Sequence, residues 1–317
     1  MQPILETKNI SKFYGNYTAL NKVSLSIPEG TIYGLLGPNG AGKTSLIRII
    51  NQITAPDSGS IEFKGKPLRQ YHETNIGYLP EERGLYRKMK VGEQAIYLAQ
   101  LKGLSKADAK AKLKYWFDKF EIGNWWNKKV EELSKGMAQK IQFIVTVLHE
   151  PSLLILDEPF SGFDPVNANL IKQEIFELQK KGTTIIFSTH NMSSVEEICT
   201  QIALIHQSEK ILEGSVLDIK EKYKERIYEL SFEGNAVQLT NALWTNFELL
   251  DLQKKNNLQS AKIKLLRNST ANDLLQIALP VAKIHSFTEV VPSMNDIFIQ
   301  LVSKEVPLPV NENTQHE

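Results

Sequence analysis

Apolar and polar positions alternate with period two over residues 1–30 and again near 60–70, where Ile61-Glu62-Phe63-Lys64 follows the Asp57-Ser58-Gly59 turn. Successive side chains of a strand point to opposite faces, so these stretches predict strands of a sheet with one buried face. Three other segments are almost wholly apolar: Thr31-Ile32-Tyr33-Gly34-Leu35-Leu36, Leu153-Leu154-Ile155-Leu156 and Ile185-Ile186-Phe187. Short runs without alternation predict strands covered on both faces, as in a parallel sheet between helices. The rhythm between them is helical. Ser45 to Ile50 predicts a helix after the first of these strands, residues 88–150 are helix-rich, and Ala138 to His149 forms a helical run with Ser134 at its N-cap.

Near residue 217 this pattern stops and another begins. Ile227–Phe232 predicts a strand, Asn235–Trp244 a helix, Phe247–Leu252 and Ala261–Leu266 strands, Ser269–Leu279 a helix and Ile284–Val291 a strand. The order βαββαβ is the split-βαβ, ferredoxin-like arrangement, followed by a helix opening at Ser293 and running Met294–Val302. Three regions are expected: residues 1–217, a small α+β domain over 218–304, and a tail over 305–317 whose last part, Asn311–Glu317, is expected to be disordered.

Composition narrows the class. The chain has 317 residues, of which 42% are hydrophobic, enough for about two cores. A net charge of +1 gives no basic excess for nucleic acid. No run approaches the roughly 18 apolar residues of a spanning helix, and Met1-Gln2-Pro3-Ile4-Leu5-Glu6 lacks the basic-then-apolar opening of a signal peptide, so a cytoplasmic chain is expected. Cys199, the single cysteine, falls in the apolar rhythm Val195, Ile198, Cys199, Ile202 and reads as a small buried hydrophobe.

The candidate chemistry begins at Gly37-Pro38-Asn39-Gly40-Ala41-Gly42-Lys43-Thr44, which fits the spacing G-x-x-x-x-G-K-[ST] between a strand and a helix. Glycines at 37, 40 and 42 let the backbone bend so that its N–H groups converge on an anion, and the following helix N-terminus adds partial positive charge. Lys43 would reach the β and γ phosphates of a nucleoside triphosphate. The Thr44 hydroxyl would meet Mg²⁺, and Ser45 completes the nucleotide-binding segment.

Downstream, the strand Leu153–Leu156 runs into Asp157-Glu158. Two adjacent acids at a strand end divide two tasks: Asp157 holds Mg²⁺, directly or through water, and Glu158 polarises the attacking water as general base. Leu133-Ser134-Lys135-Gly136-Met137 looks like a second phosphate-binding helix start, Ser134 capping and Gly136 allowing close approach. Ser161-Gly162-Phe163-Asp164-Pro165 reads as a turn, and the run from Ile185 ends in the lone histidine His190.

With these segments in this order, the chain resembles the nucleotide-binding subunit of ABC transporters over roughly residues 4–215. The resemblance implies a RecA-like P-loop α/β core with an antiparallel β subdomain and a helical subdomain, hydrolysing ATP as a head-to-tail dimer. It assigns Tyr14 to the aromatic that stacks on adenine, Gly37–Thr44 to Walker A, Glu81 to the position of the Q-loop glutamine and Leu133–Met137 to the signature. Asp157 and Glu158 become Walker B and the catalytic glutamate, Ser161–Asp164 the D-loop and His190 the switch histidine. Each ATP would be pinched between one subunit's Walker A and the other's signature helix, so a homodimer or close heterodimer is expected. Membrane permease subunits would supply the pathway, with this chain on the inner face of the membrane. Residues 218–304 resemble the small appendage of ABC ATPases of the sodium- and drug-export type, read as regulatory or dimer-supporting. A soluble ABC-type ATPase acting as a regulatory or translation-associated factor is the alternative.

Two residues depart from the common pattern. Glu81 stands where most relatives carry glutamine, replacing a neutral amide ligand with a carboxylate; Glu82 next to it is an alternative metal-facing residue, and both could be solvated. Lys135 replaces the first signature glycine and sets a cation beside the partner's γ-phosphate site. Trp125-Trp126 read as packing of the helical subdomain, Tyr71-His72-Glu73 as a solvated loop and Leu85-Tyr86-Arg87-Lys88-Met89 as a docking surface for the membrane subunit.

Overall fold

A computed structural model describes residues 3–82, 84–243, 246–255 and 258–305 and divides the chain into two compact units, with the boundary between Val216 and Leu217.

The first unit opens with the alternating strands β1 (Pro3–Tyr14) and β2 (Tyr17–Pro28), an antiparallel hairpin. With β4 (Ser58–Phe63) and β5 (Lys66–Pro67) they form a four-stranded sheet in the order β2-β1-β4-β5. The wholly apolar strands lie elsewhere. β3 (Ile32–Leu36), β6 (Ile76–Leu79), β7 (Leu153–Asp157), β8 (Thr184–Thr189) and β9 (Gln201–His206) are mutually parallel, and β10 (Glu209–Ser215) closes one edge antiparallel, giving β10-β9-β3-β8-β7-β6. Every residue of β3, β7 and β8 is buried, as continuous apolar runs require. Helix α1 (Lys43–Ile50) shares one core with both sheets: Leu46, Ile47, Ile49 and Ile50 pack with Ile4, Leu20 and Phe63 of the first and Tyr33, Ile155 and Ile186 of the second.

The helical part comprises α2 (Val91–Leu101), α3 (Lys106–Lys119) and α4 (Lys135–Val147). Trp126 packs in it, its ring 5.3 Å from that of Phe117 and close over Gly92. Helix α4 starts one turn before the expected Ala138, because Ser134 accepts a hydrogen bond from the Met137 N–H and so nucleates the turn itself. Asp164 caps α5 (Pro165–Lys180) in the same way, and Asn191 caps α6 (Met192–Ile198). Cys199 is buried against Gly34, and burial pushes its thiol pKa well up. The reading of His72 as solvated is wrong: its ring is buried 5.2 Å from Phe63, and its Nδ1 accepts from the Arg69 N–H. The side chains of Tyr71 and Glu73 lie outside the described residues.

Helix α7 (Val216–Lys222) leads into the second unit. There β11 (Ile227–Gly234), α8 (Ala236–Ala242), β12 (Phe247–Lys255), β13 (Leu258–Leu265), α9 (Ala271–Ala278) and β14 (Ala282–Glu289) run in the order βαββαβ, followed by α10 (Met294–Glu305). The sheet order β12-β13-β11-β14, antiparallel throughout, is that of a ferredoxin-like fold. One face carries Leu230, Phe232, Ala261 and Ile263 against Leu239 and Leu274 of the helices. The expected helix end at Trp244 and the tail over 311–317 fall outside the described residues.

Candidate functional site

The phosphate loop leaves β3 and enters α1, whose N-cap is Gly42 in the left-handed region at φ 112°. A Cβ on Gly37 would lie 2.1 Å from the Ile205 carbonyl oxygen and one on Gly42 2.2 Å from that of Ala19, so both ends of the loop admit glycine only. The Lys43 ammonium is buried and donates to the Gly37 and Pro38 carbonyls at 2.7 and 3.0 Å. Burial lowers its pKa, against the pull of the Glu158, Asp157 and Glu81 charges.

Parallel strands further along the same sheet, β7 and β6, deliver the acids to this loop. Asp157 ends β7 at 3% exposure, and burial raises its pKa, helped by the charges of Glu81 and Glu158. Glu158 takes a left-handed φ of 48°, uncommon for a residue with a side chain and stored here at the sheet edge, with its N–H donating to Ser188 O at 2.9 Å. Its carboxylate accepts from Thr189 Oγ1 at 3.0 Å, from the His190 N–H at 2.9 Å, and lies 2.6 Å from His190 Nδ1. The expected general base and the expected switch histidine thus meet directly, brought together because β7 and β8 are neighbours.

A cavity of about 200 Å³ gathers Asn39, Gly40, Gly42, Lys43, Thr44, Ser45, Glu81, Asp157 and Glu158. Glu81, rather than Glu82, lines it; the Glu82 backbone carbonyl instead accepts from Gln142. Three carboxylates around one ammonium, with a hydroxyl alongside, make an oxygen donor set with surplus negative charge, which fits a hard divalent cation such as Mg²⁺. Among the described residues no group of three or more His, Cys, Asp or Glu is placed to hold a metal by itself.

Tyr14 does not line this cavity. It ends β1, 44% exposed, with the Lys12 ammonium 5.5 Å from its ring centre. Its cross-strand partner Tyr17 does line the cavity, and was missed because a single aromatic in an alternating strand carries no spacing signal.

Ser134 and Gly136 are also absent from the cavity lining. Their helix start is fastened to the Ser161–Asp164 turn instead: the Gln139 amide donates to the Ser161 carbonyl, and the Lys135 stem lies across Gly162, where φ is 84° and a Cβ would collide with it. A second hollow of about 470 Å³ lies between the core and the helical part, lined by Ile53, Leu85, Leu98, Leu101 and His149 among others. Burial foremost, and the Lys102 charge, lower the His149 pKa to about 4. Among the described residues no helix is long and apolar enough to cross a membrane.

Residues 20–161 match the family described as ABC transporter, and residues 214–302 match the family described as ATP-binding protein DrrA1-3-like, C-terminal domain. The uncharacterized ABC transporter ATP-binding protein YhaQ of Bacillus subtilis is 40% identical over 299 residues, spanning 94% of this chain and 98% of its own length. The linearmycin resistance ATP-binding protein LnrL of the same organism is 33% identical over 219 residues, covering 68% of this chain and 70% of its own. Among solved structures, an ATP-binding subunit of an ABC transporter superposes with a TM-score of 0.65 at 30% identity, over 69% of this chain and 93% of that one.

Proposed function

This chain belongs to the ATP-binding proteins of ABC transporters and is an ATPase; from there we propose that it acts as a head-to-tail pair that drives a separate membrane permease in the exporting direction. The observation that supports pairing is that the phosphate-loop cavity lacks Ser134 and Gly136 among its lining residues. A second chain, a copy or a close homologue, would lend its Ser134–Gly136 segment to the γ-phosphate held here, with Lys135 as an added cation.

In that assembly the backbone N–H groups of residues 39–45 hold the phosphates, and Lys43 exchanges its loop carbonyls for the β and γ oxygens. Thr44, Asp157 and Glu81 would hold Mg²⁺, which supplies neutralisation of the γ-phosphoryl charge when bound. Glu158 takes the proton from the attacking water while His190 and Thr189 orient its carboxylate. Tyr14 offers its ring to adenine.

The membrane partner would dock at the 470 Å³ hollow and the adjoining Leu85–Met89 segment, keeping the chain on the inner face of the membrane. Export is supported by a relative named for linearmycin resistance, since resistance is served by outward transport. The second unit is read as a regulatory or dimer-supporting module.

Purified Glu158→Gln protein, able to bind but not to hydrolyse, is expected to sediment as a dimer with MgATP and as a monomer with MgADP. A protein that stays monomeric at saturating MgATP overturns the pairing. Co-purification with a multi-span membrane protein encoded beside it tests the permease. A chain ending at Lys220 that dimerised and hydrolysed ATP at the full rate would remove the role given to the second unit.

A further inference from the structure

The phosphate loop is restrained unevenly. Its ends are pinned by packing, at Gly37 against the Ile205 carbonyl and at Gly42 against that of Ala19, whereas a Cβ at Gly40 would meet no atom within 4 Å. Asn39 and Gly40 are both exposed. Gly40 sits at φ 80°, where glycine is nearly free to change conformation, so packing does not fix the orientation of the peptide that follows it. That orientation matters electrostatically. In a trans peptide the C=O and N–H point opposite ways, so a flipped Gly40–Ala41 unit would show phosphate a carbonyl oxygen in place of a donor.

Two hydrogen bonds hold this peptide. The Ala41 N–H donates to Pro38 O at 3.2 Å, within the loop, and the Tyr17 hydroxyl donates to Gly40 O at 2.7 Å, from outside it. Tyr17 starts β2 and faces Tyr14 across the hairpin, and it lines the cavity that holds Lys43, Glu81 and Asp157. We infer that Tyr17 is a positioning residue for triphosphate binding: its hydroxyl locks the Gly40–Ala41 peptide with its N–H turned into the loop, where it donates to Pro38 O and would pass to phosphate when the triphosphate binds. It acts through the loop rather than on the base, and the inference rests on the phosphate-loop reading of residues 37–44.

The roles separate with one atom. Tyr17→Phe keeps the ring, hence any stacking, and removes only the hydroxyl. Binding of MgATP and of magnesium tripolyphosphate, which has no base, is measured calorimetrically on the full chain, alongside steady-state hydrolysis and thermal melting. A single net hydrogen bond sets the scale at about five-fold. The expected result is that Tyr17→Phe weakens both ligands by the same factor of about five, raises KM to match, and leaves kcat and the melting temperature unchanged. Unchanged affinities for both ligands, loss for ATP alone, or a fall in kcat at constant KM would each overturn the inference. Lys43→Ala is the control for the underlying reading: if it still binds both ligands as the unaltered chain does, the loop assignment fails, whatever Tyr17→Phe does.

Discussion

In the first unit Lys43 and Asp157 are buried at 7% and 3% exposure, and Gln94, Gln139, Gln142 and Glu174 are taken out of water with them; in the second, no buried residue among those described is polar or charged. The second unit separates its faces cleanly, with Leu230, Phe232 and Ile263 inward and Glu229, Ser260 and Lys262 outward. Burying an ionised group costs several kcal/mol unless it is paired, so such groups persist where chemistry or a partner compensates them. Glu174 has its partner in Lys119 at 2.6 Å. Lys43 and Asp157 are compensated by one another's neighbourhood, and more fully by a phosphate and a cation. The contrast places the described buried ionisable groups in the first unit alone.

The sharpest way to break this contrast is to remove the base. Glu158→Gln is expected to lower kcat by about 10³-fold while leaving the second unit's melting unchanged. If turnover survives, Glu158 is not the general base. The mirror experiment removes apolar volume from the second unit. Phe232 has no exposed surface, and Phe232→Ala is expected to cost roughly 3–5 kcal/mol, abolishing that unit's thermal transition while MgATP binding persists. Loss of MgATP binding would mean the two units do not fold independently.

Acid sharpens the comparison next. His149 binds its proton near pH 4 in the folded chain and near 6.5 when unfolded, so the unfolded state takes up more protons between those values. Its contribution is therefore intact above pH 6.5 and lost progressively as pH falls towards 4. At 1.36 kcal/mol per unit the bound is ~3 kcal/mol, and solvent contact reduces it to about 2. Denaturant midpoints measured from pH 7.5 to 4.5 should show this loss in the first unit, blunted in His149→Gln. An unchanged pH profile in that variant removes His149 as the cause. The smallest effect belongs to a cap in the second unit. Thr270 accepts from the Asp273 N–H at the start of α9, and Thr270→Ala should cost roughly 1 kcal/mol, seen as a lower midpoint for that unit alone.

How much of this could be read from residue order depends on the distance over which each feature is encoded. The phosphate loop, the Asp157-Glu158 pair and the βαββαβ order are local patterns, and local patterns survive in a string of letters. The bond between Glu158 and His190 is not local: it needs β7 and β8 to be neighbours, which no spacing states. Choosing between Glu81 and Glu82 required knowing which way one loop turns. Tyr17 left no trace at all, since a hydroxyl aimed at a backbone carbonyl has no partner side chain to mark it. His72 was misjudged for a related reason, because its polar neighbours in sequence hide the Phe63 ring that covers it in space.

The fastening of Gln139 and Lys135 to Ser161 and Gly162 has a kinetic consequence. In the proposed pair, the segment a subunit lends to its neighbour's nucleotide is tied to the turn that begins three residues beyond its own Glu158. Whatever the neighbour's ATP did to that helix start would be felt at the lender's own Glu158, the proposed general base. Two such sites would not fire as independent clocks: turnover would rise with ATP more steeply than a single hyperbola, and poisoning one site would silence both.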